Sequence, residues 1–202
     1  MKQQKITLKV KGVSPMLFNR KSIMLEEGEE FQKQRGENGM NVEERIWREK
    51  AHVDDQDQVV IPSEWVKRSL VGSQKRNAYP IKPVGATRKD ASMLTYFNSG
   101  VFFNDTVVTL KGKPVTKQTL TPHKSIVTIP KTGGSVPCMR PMVEAGWEAE
   151  IEGVICDEYV TPENLQEALE WVGFYSGWGD WRPQSGGQFG RFEAKVTKGK
   201  SK

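Results

Sequence analysis

Residues Gly146–Asp157 read GWEAEIEGVICD. Trp147, Ala149, Ile151 and Ile155 fall on one side of an extended chain, while Glu148, Glu150 and Glu152 fall on the other. A period of two with apolar and acidic residues strictly alternating is the signature of a strand with one face on a core and one in water. Just beyond it, Thr161 supplies a helix N-cap, Pro162 suits the first helical position, and Glu163 complements the helix dipole. Leu165, Ala168, Leu169 and Val172 then recur at helical spacing, ending near Gly177. A final alternation of Phe192, Ala194 and Val196 predicts a last strand.

Working back towards the N-terminus, Ile6, Leu8 and Val10 alternate with lysines and threonine in KITLKVKG, which predicts a first strand stopped by Gly12 and Pro15. Asn41 caps a short helix carrying Val42, Ile46 and Trp47. QVVIP is a short strand, and Ser63 caps a helix reaching about Arg76. Residues 77–100 read as a long irregular connection, and VFFNDTVVTLKGK (101–113) as a strand. Residues 114–136 are rich in Thr, Lys and β-branched residues with turn signals inside, the pattern of a β-hairpin arm. Residues 26–57 read as a polar, acidic, partly mobile insertion. The order is the β-α-β-β-α-β of a ferredoxin-like (RRM-like) α+β fold, one domain over residues 1–202 with the arm as a thumb-like insertion.

Bulk properties narrow the function. The chain has 202 residues, a net charge of +5 and a hydrophobic fraction of 36%, with no apolar run of membrane-spanning length. The start MKQQKITLKV lacks a secretion-signal core, so the expectation is a cytoplasmic protein with no membrane partner. Charge is uneven: residues 61–146 hold thirteen basic and four acidic groups, whereas residues 147–202 hold six and ten. The positive middle third is what a polyanion would feel. Cys138 and Cys156 match no metal or redox spacing, and the two histidines, His52 and His123, have no ligand cluster beside them. Asp54, Asp55 and Asp57 read as a solvated turn. No metal, cofactor or catalytic constellation is expected.

The connection Gly177–Glu193, GWGDWRPQSGGQFGRFE, combines five glycines with two tryptophans, two phenylalanines and two arginines. Glycines there serve either a tight helix-to-strand turn or the approach of bare amides to phosphates. Arg182 and Arg191 suit phosphate oxygens, and Trp178, Trp181 and Phe189 offer flat faces to bases. No Walker A sequence occurs, and a strand follows the loop where a dinucleotide fingerprint needs a helix.

An α+β chain that opens LKVKGVSPML and ends in this glycine-rich segment with GQFGRF at the strand entry resembles the RAMP superfamily, the RNA-binding and RNA-processing subunits of CRISPR complexes. The ending GDWRPQSGGQFGRF is similar also to a group of small phage-encoded proteins. The resemblance implies a ferredoxin-like palm, a projecting hairpin thumb over residues 114–136, and copies stacking along a nucleic-acid strand. The expected function is single-stranded nucleic-acid binding, for phage DNA replication or recombination, without catalysis. The expected partners are single-stranded DNA or RNA and further copies of the chain, up to a filament. Alternative readings are an RNA-binding CRISPR-backbone-like subunit, a ribonuclease of the same fold, and a phage inhibitor docking on a CRISPR complex. The candidate contacts are Arg182, Arg191, Phe189, Gly186, Gly187 and Gly190 in the loop, with Lys124, Lys131 and Lys117 on the arm. Arg20 and Lys21 after the first strand and Arg68 on the helix complete the set.

Overall fold

The computed structural model describes residues 3–20, 39–71, 93–128 and 133–199. Strand β1 (Gln4–Gly12) is followed by the short β2 (Met16–Leu17), then helix α1 (Gly39–Ile46) with a 3₁₀ turn at Trp47–Lys50. Next come β3 (Val60–Ile61), α2 (Ser63–Val71) and α3 (Met93–Gly100). Four short strands follow: β4 (Val101–Phe103), β5 (Thr106–Val107), β6 (Thr109–Leu110) and β7 (Lys113–Pro114). The long strands β8 (Thr121–Thr128), β9 (Ser135–Val143) and β10 (Trp147–Ile155) lead to α4 (Pro162–Trp171), a π turn (Val172–Ser176) and β11 (Phe192–Lys198).

The central sheet runs β11-β1-β10, with β4 and β6 both pairing the far edge of β10. β1 and β4 are each antiparallel to β10, so they are parallel with β10 between them. β10 and β11 flank β1 in the same way. Two interleaved split β-α-β units are the ferredoxin-like arrangement, and the α+β fold expected from element order is the one observed.

Alternation sets the layers. Ile6, Leu8, Val10, Trp147, Ile151, Ile155 and Phe192 are buried under the helices, with Leu165, Leu169, Val66 and Leu70 from α4 and α2 above them. The opposite face carries Lys9 across from Glu150 (3.5 Å) and Lys11 across from both Glu148 and Glu193. The outward residues of β1, β10 and β11 are thus a charged lattice without an aromatic ring, unlike a sheet that stacks bases. The outer edge of β11 is closed by α4: the Gln166 side chain donates to Ala194 O (2.8 Å) and accepts from Val196 N (2.6 Å). A side-chain amide standing in for a neighbouring strand protects that edge from pairing with another chain.

Two expectations change. Residues 101–113 form four short strands because the chain switches partners, β5 pairing β3 while β4 and β6 pair β10. Part of the irregular connection, Met93–Gly100, is a two-turn helix anchored by the buried Phe97; residues 77–92 lie outside the described residues. The described part of the 26–57 insertion is packed, with Ile46, Trp47 and Ala51 buried. The arm is a long hairpin whose register runs from Thr121–Met142 to Thr128–Ser135, and β2 joins β9 on its other side.

Candidate nucleic-acid interface

The glycine-rich loop is a knot of backbone hydrogen bonds. Gly186 N donates to Pro183 O, Gly187 N to Arg182 O, Phe189 N to Trp181 O and Gly190 N to Pro15 O, at 2.7–3.1 Å. The amides of Gly186, Gly187 and Gly190, expected to lie bare for a phosphate chain, are spent inside the protein. The glycines serve close approach instead: a Cβ on Gly187 would lie 1.7 Å from Trp181 O. The loop is stitched to the segment after β1 by Asp180 N to Leu17 O and Arg191 N to Ser14 Oγ (both 2.9 Å).

Trp178, read as a flat binding face, is a core residue. It is 1% exposed, its indole N–H donates to Ser69 Oγ (2.9 Å), and its ring lies on Phe192 with centroids 4.0 Å apart. Trp181 behaves differently. It is half-buried and held at φ 49°, a backbone region that a bulky residue adopts only under constraint.

Around Trp181 the loop meets the hairpin. The Arg140 guanidinium of β9 sits 4.3 Å from the Trp181 ring centroid and donates to Asp180 Oδ2 and, at 3.1 Å, to Ser125 Oγ. Asp180 also accepts from Asn19 Nδ2 (3.1 Å). His123 of β8 lies edge-on to Phe189 (5.0 Å) and to Trp181 (5.7 Å). His123, Trp181 and Phe189 are all partly exposed, so three rings line the corner where arm and loop join. Arg140, itself 5% exposed, aligns the indole rather than facing solvent. Neither the φ of Trp181 nor the role of Arg140 leaves a sequence motif; each depends on contacts between distant segments.

The candidate cations divide into groups. Arg182 lies in the loop, its Nε and Nη1 donating to Gln184 Oε1 (3.2 Å) and Gly179 O (3.3 Å), and burial lowers its pKa against the opposing pull of Asp180. Arg191 lies 4.7 Å over the Phe174 ring. Lys124, next to His123, pairs with Glu44 (3.3 Å), and Lys117 pairs with Glu49. Arg20 Nε donates to Glu49 O (3.3 Å), so Arg20 and Lys117 meet at the 3₁₀ turn after α1. Arg68 pairs with Glu64 one helical turn away (3.1 Å) on α2. Lys21 and Lys131 lie outside the described residues. The acidic 26–57 segment therefore reaches the arm and the turn before it, where Glu44 and Glu49 neutralise two of the candidate lysines.

Among the described residues no group of three or more His, Cys, Asp or Glu side chains could hold a metal ion. Asp54 instead closes a turn, its carboxylate accepting from Gln56 N and Gln58 N (both 2.9 Å). Cys138 and Cys156 are free thiols. No described helix is long and apolar enough to cross a membrane.

Both histidines are pushed below their ordinary value of 6.5, His52 by burial and then Arg20 against the pull of Asp105 and Glu64, His123 by burial and then Arg140. A lowered folded value means that the unfolded chain binds more protons as pH falls below about 6.5. Their neutral forms are fully tolerated above that pH, and stability is lost on acidification towards the folded values. The melting temperature should therefore drop between about pH 7 and 5, and His52→Gln should flatten the drop; an identical slope in the variant would show that His52 is not its source.

No protein-family model and no curated protein matches the chain. Among solved structures it is similar to a chain of the Type III-B Cmr-beta complex bound to cognate target RNA, with a TM-score of 0.59 and 12% identity. The alignment covers 98% of this chain and 61% of that one, so this chain spans about three-fifths of its relative's length. A chain of a Type IV-B CRISPR complex aligns at a TM-score of 0.48 and 10% identity, over 98% of this chain and 92% of that one. The likeness to the Cmr-beta chain is one of fold, and it bears out the ferredoxin-like α+β architecture.

Proposed function

We propose that this RAMP-type chain binds single-stranded nucleic acid, with RNA preferred, as a non-catalytic subunit of a multi-subunit ribonucleoprotein. The observation that carries the reading is the corner where β8 and β9 meet the glycine-rich loop. His123, Trp181 and Phe189 present partly exposed rings there, next to Lys124 and Arg182. Rings supply sequence-tolerant stacking and cations supply phosphate attraction, which together are what a single strand needs. RNA is favoured over the DNA read from the sequence because the fold's relative is a complex bound to target RNA. The charged outer face of the central sheet argues against the RRM mode, in which bases stack on the sheet itself.

Titration of labelled single-stranded RNA and DNA at low salt tests this directly. The RNA should bind in the micromolar range or tighter, weaken steeply with salt, and bind better than DNA or a duplex. Phe189→Ala should cost about 1–3 kcal/mol of binding free energy, with a thermal melt to confirm that the variant folds. Failure of micromolar protein to bind any single strand would overturn the reading.

A further inference from the structure

The helix ending just before the glycine-rich loop does something its sequence does not announce. The stripe Leu165, Leu169, Val172 continued at α-helical spacing would bury Tyr175 along with Ser176. The chain winds into a π turn instead: Val172 and Ser176 are buried, while Phe174 and Tyr175 are 56% and 53% exposed. Single π turns inside helices recur at functional sites, because the extra residue re-aims side chains at a cost in packing. Leaving two large rings in water forgoes the gain their burial would bring.

Those rings are not isolated. Phe174 and Tyr175 meet edge-to-face at 4.8 Å, Trp171 backs Tyr175 at 5.1 Å, and the Arg191 guanidinium lies 4.7 Å over Phe174. The Arg191 backbone is fixed by its N–H to Ser14 Oγ and by Val13 N donating to its carbonyl. Among the described residues no carboxylate pairs with Arg191, in contrast to Lys117, Lys124 and Arg140. The turn is also continuous with the loop: Ser176 Oγ bonds Gln184 Oε1 (3.2 Å), and Trp178 N donates to Gly190 O (2.9 Å).

We propose that Phe174, Tyr175 and Arg191 form a second contact for the same single strand, an aromatic step on which unpaired bases stack while the guanidinium takes the adjoining phosphate. The inference rests on the strand-binding reading above and extends its path around the end of α4. An arginine lying on a ring without a carboxylate partner suits a base-and-phosphate ligand, because stacking and ion pairing are both left for the ligand to complete.

The test compares wild type with Phe174→Ser/Tyr175→Ser and with Arg191→Gln by fluorescence anisotropy on single-stranded RNA at several salt concentrations. Exposed positions keep the double variant folded, and a melt verifies this. The double variant should weaken binding about five- to hundred-fold with the salt slope unchanged, whereas Arg191→Gln should lower the slope by about one. An oligonucleotide carrying 5-iodouridine should cross-link to Tyr175 by mass spectrometry. Wild-type binding with undiminished affinity in the double variant would overturn the proposal and leave the hairpin–loop reading standing. So would an unchanged affinity accompanied by a shift in oligomeric mass, which would assign the step to a protein contact. Absence of wild-type binding would remove both.

Discussion

Gly190→Ala should destabilise the protein by more than about 4 kcal/mol, the range reached only by named structural failures. Gly190 has φ 71°, and a Cβ there would lie 1.7 Å from Trp178 O. The positive φ alone costs a residue with a side chain about 1–2 kcal/mol. The clash is with backbone, so no rotamer change relieves it. Trp178 N–Gly190 O and Gly190 N–Pro15 O would both have to open. For a chain of this size each kcal/mol moves the melting temperature by about 2–4 °C, so a fall of roughly 10 °C or more is expected. A melt within 2 °C of wild type, by the same conversion about 1 kcal/mol or less, would mean the loop tolerates rearrangement. Since the loop carries Trp181 and Phe189, strand binding should disappear with it.

The second large effect lies beneath the arm. Lys50 Nζ donates to the Glu43 carboxylate and to Met139 O (2.9 Å), and Met139 N donates to Glu43 Oε2 (2.8 Å). The two side chains are 5% and 0% exposed, so both charges have left water and each depends on the other. Lys50→Met should cost about 3–5 kcal/mol, because it strands a buried carboxylate. Adding Glu43→Gln should recover much of that loss, since a neutral amide can still accept from Met139 N and carries no charge to desolvate. Equal losses in the single and double variants would show that packing, not charge, holds the site. The pair matters beyond stability. It fixes α1 on the root of the hairpin, and the same segment brings Glu44 to Lys124 and Glu49 to Lys117. Loosening it should raise affinity for nucleic acid in any variant that remains folded, as those lysines lose their internal partners.

Legibility followed locality. The alternations in β1, β10 and β11 and the Thr161-Pro162 start of α4 are period and capping signals contained in a few residues, and all four elements form where those signals place them. The hairpin arm, expected over residues 114–136, pairs instead between Thr121–Thr128 and Ser135–Val143. It so runs past Pro137 and Pro141, residues that disfavour a strand flanked on both sides. β9 accepts them through register. Pro141 lies opposite Pro122 and turns its carbonyl to Phe18 N, so neither proline owes the other an N–H. The interruption of 101–113 was invisible because each fragment answers to a partner at another point of the chain.

By itself the sequence determined the α+β order, the buried face of the sheet, the basic middle third and a glycine-rich connection crowded with rings and cations. These depend on period, capping and composition, which act over neighbouring residues. Only the tertiary structure decided which rings face solvent and which cations are already held. Trp178 became core while Trp181 was set at positive φ over Arg140, and Lys117 and Lys124 met glutamates 68 and 80 residues away. Two tryptophans three residues apart carry the same chemistry; burial and partner are properties of the packed chain, fixed by segments that no local pattern brings together.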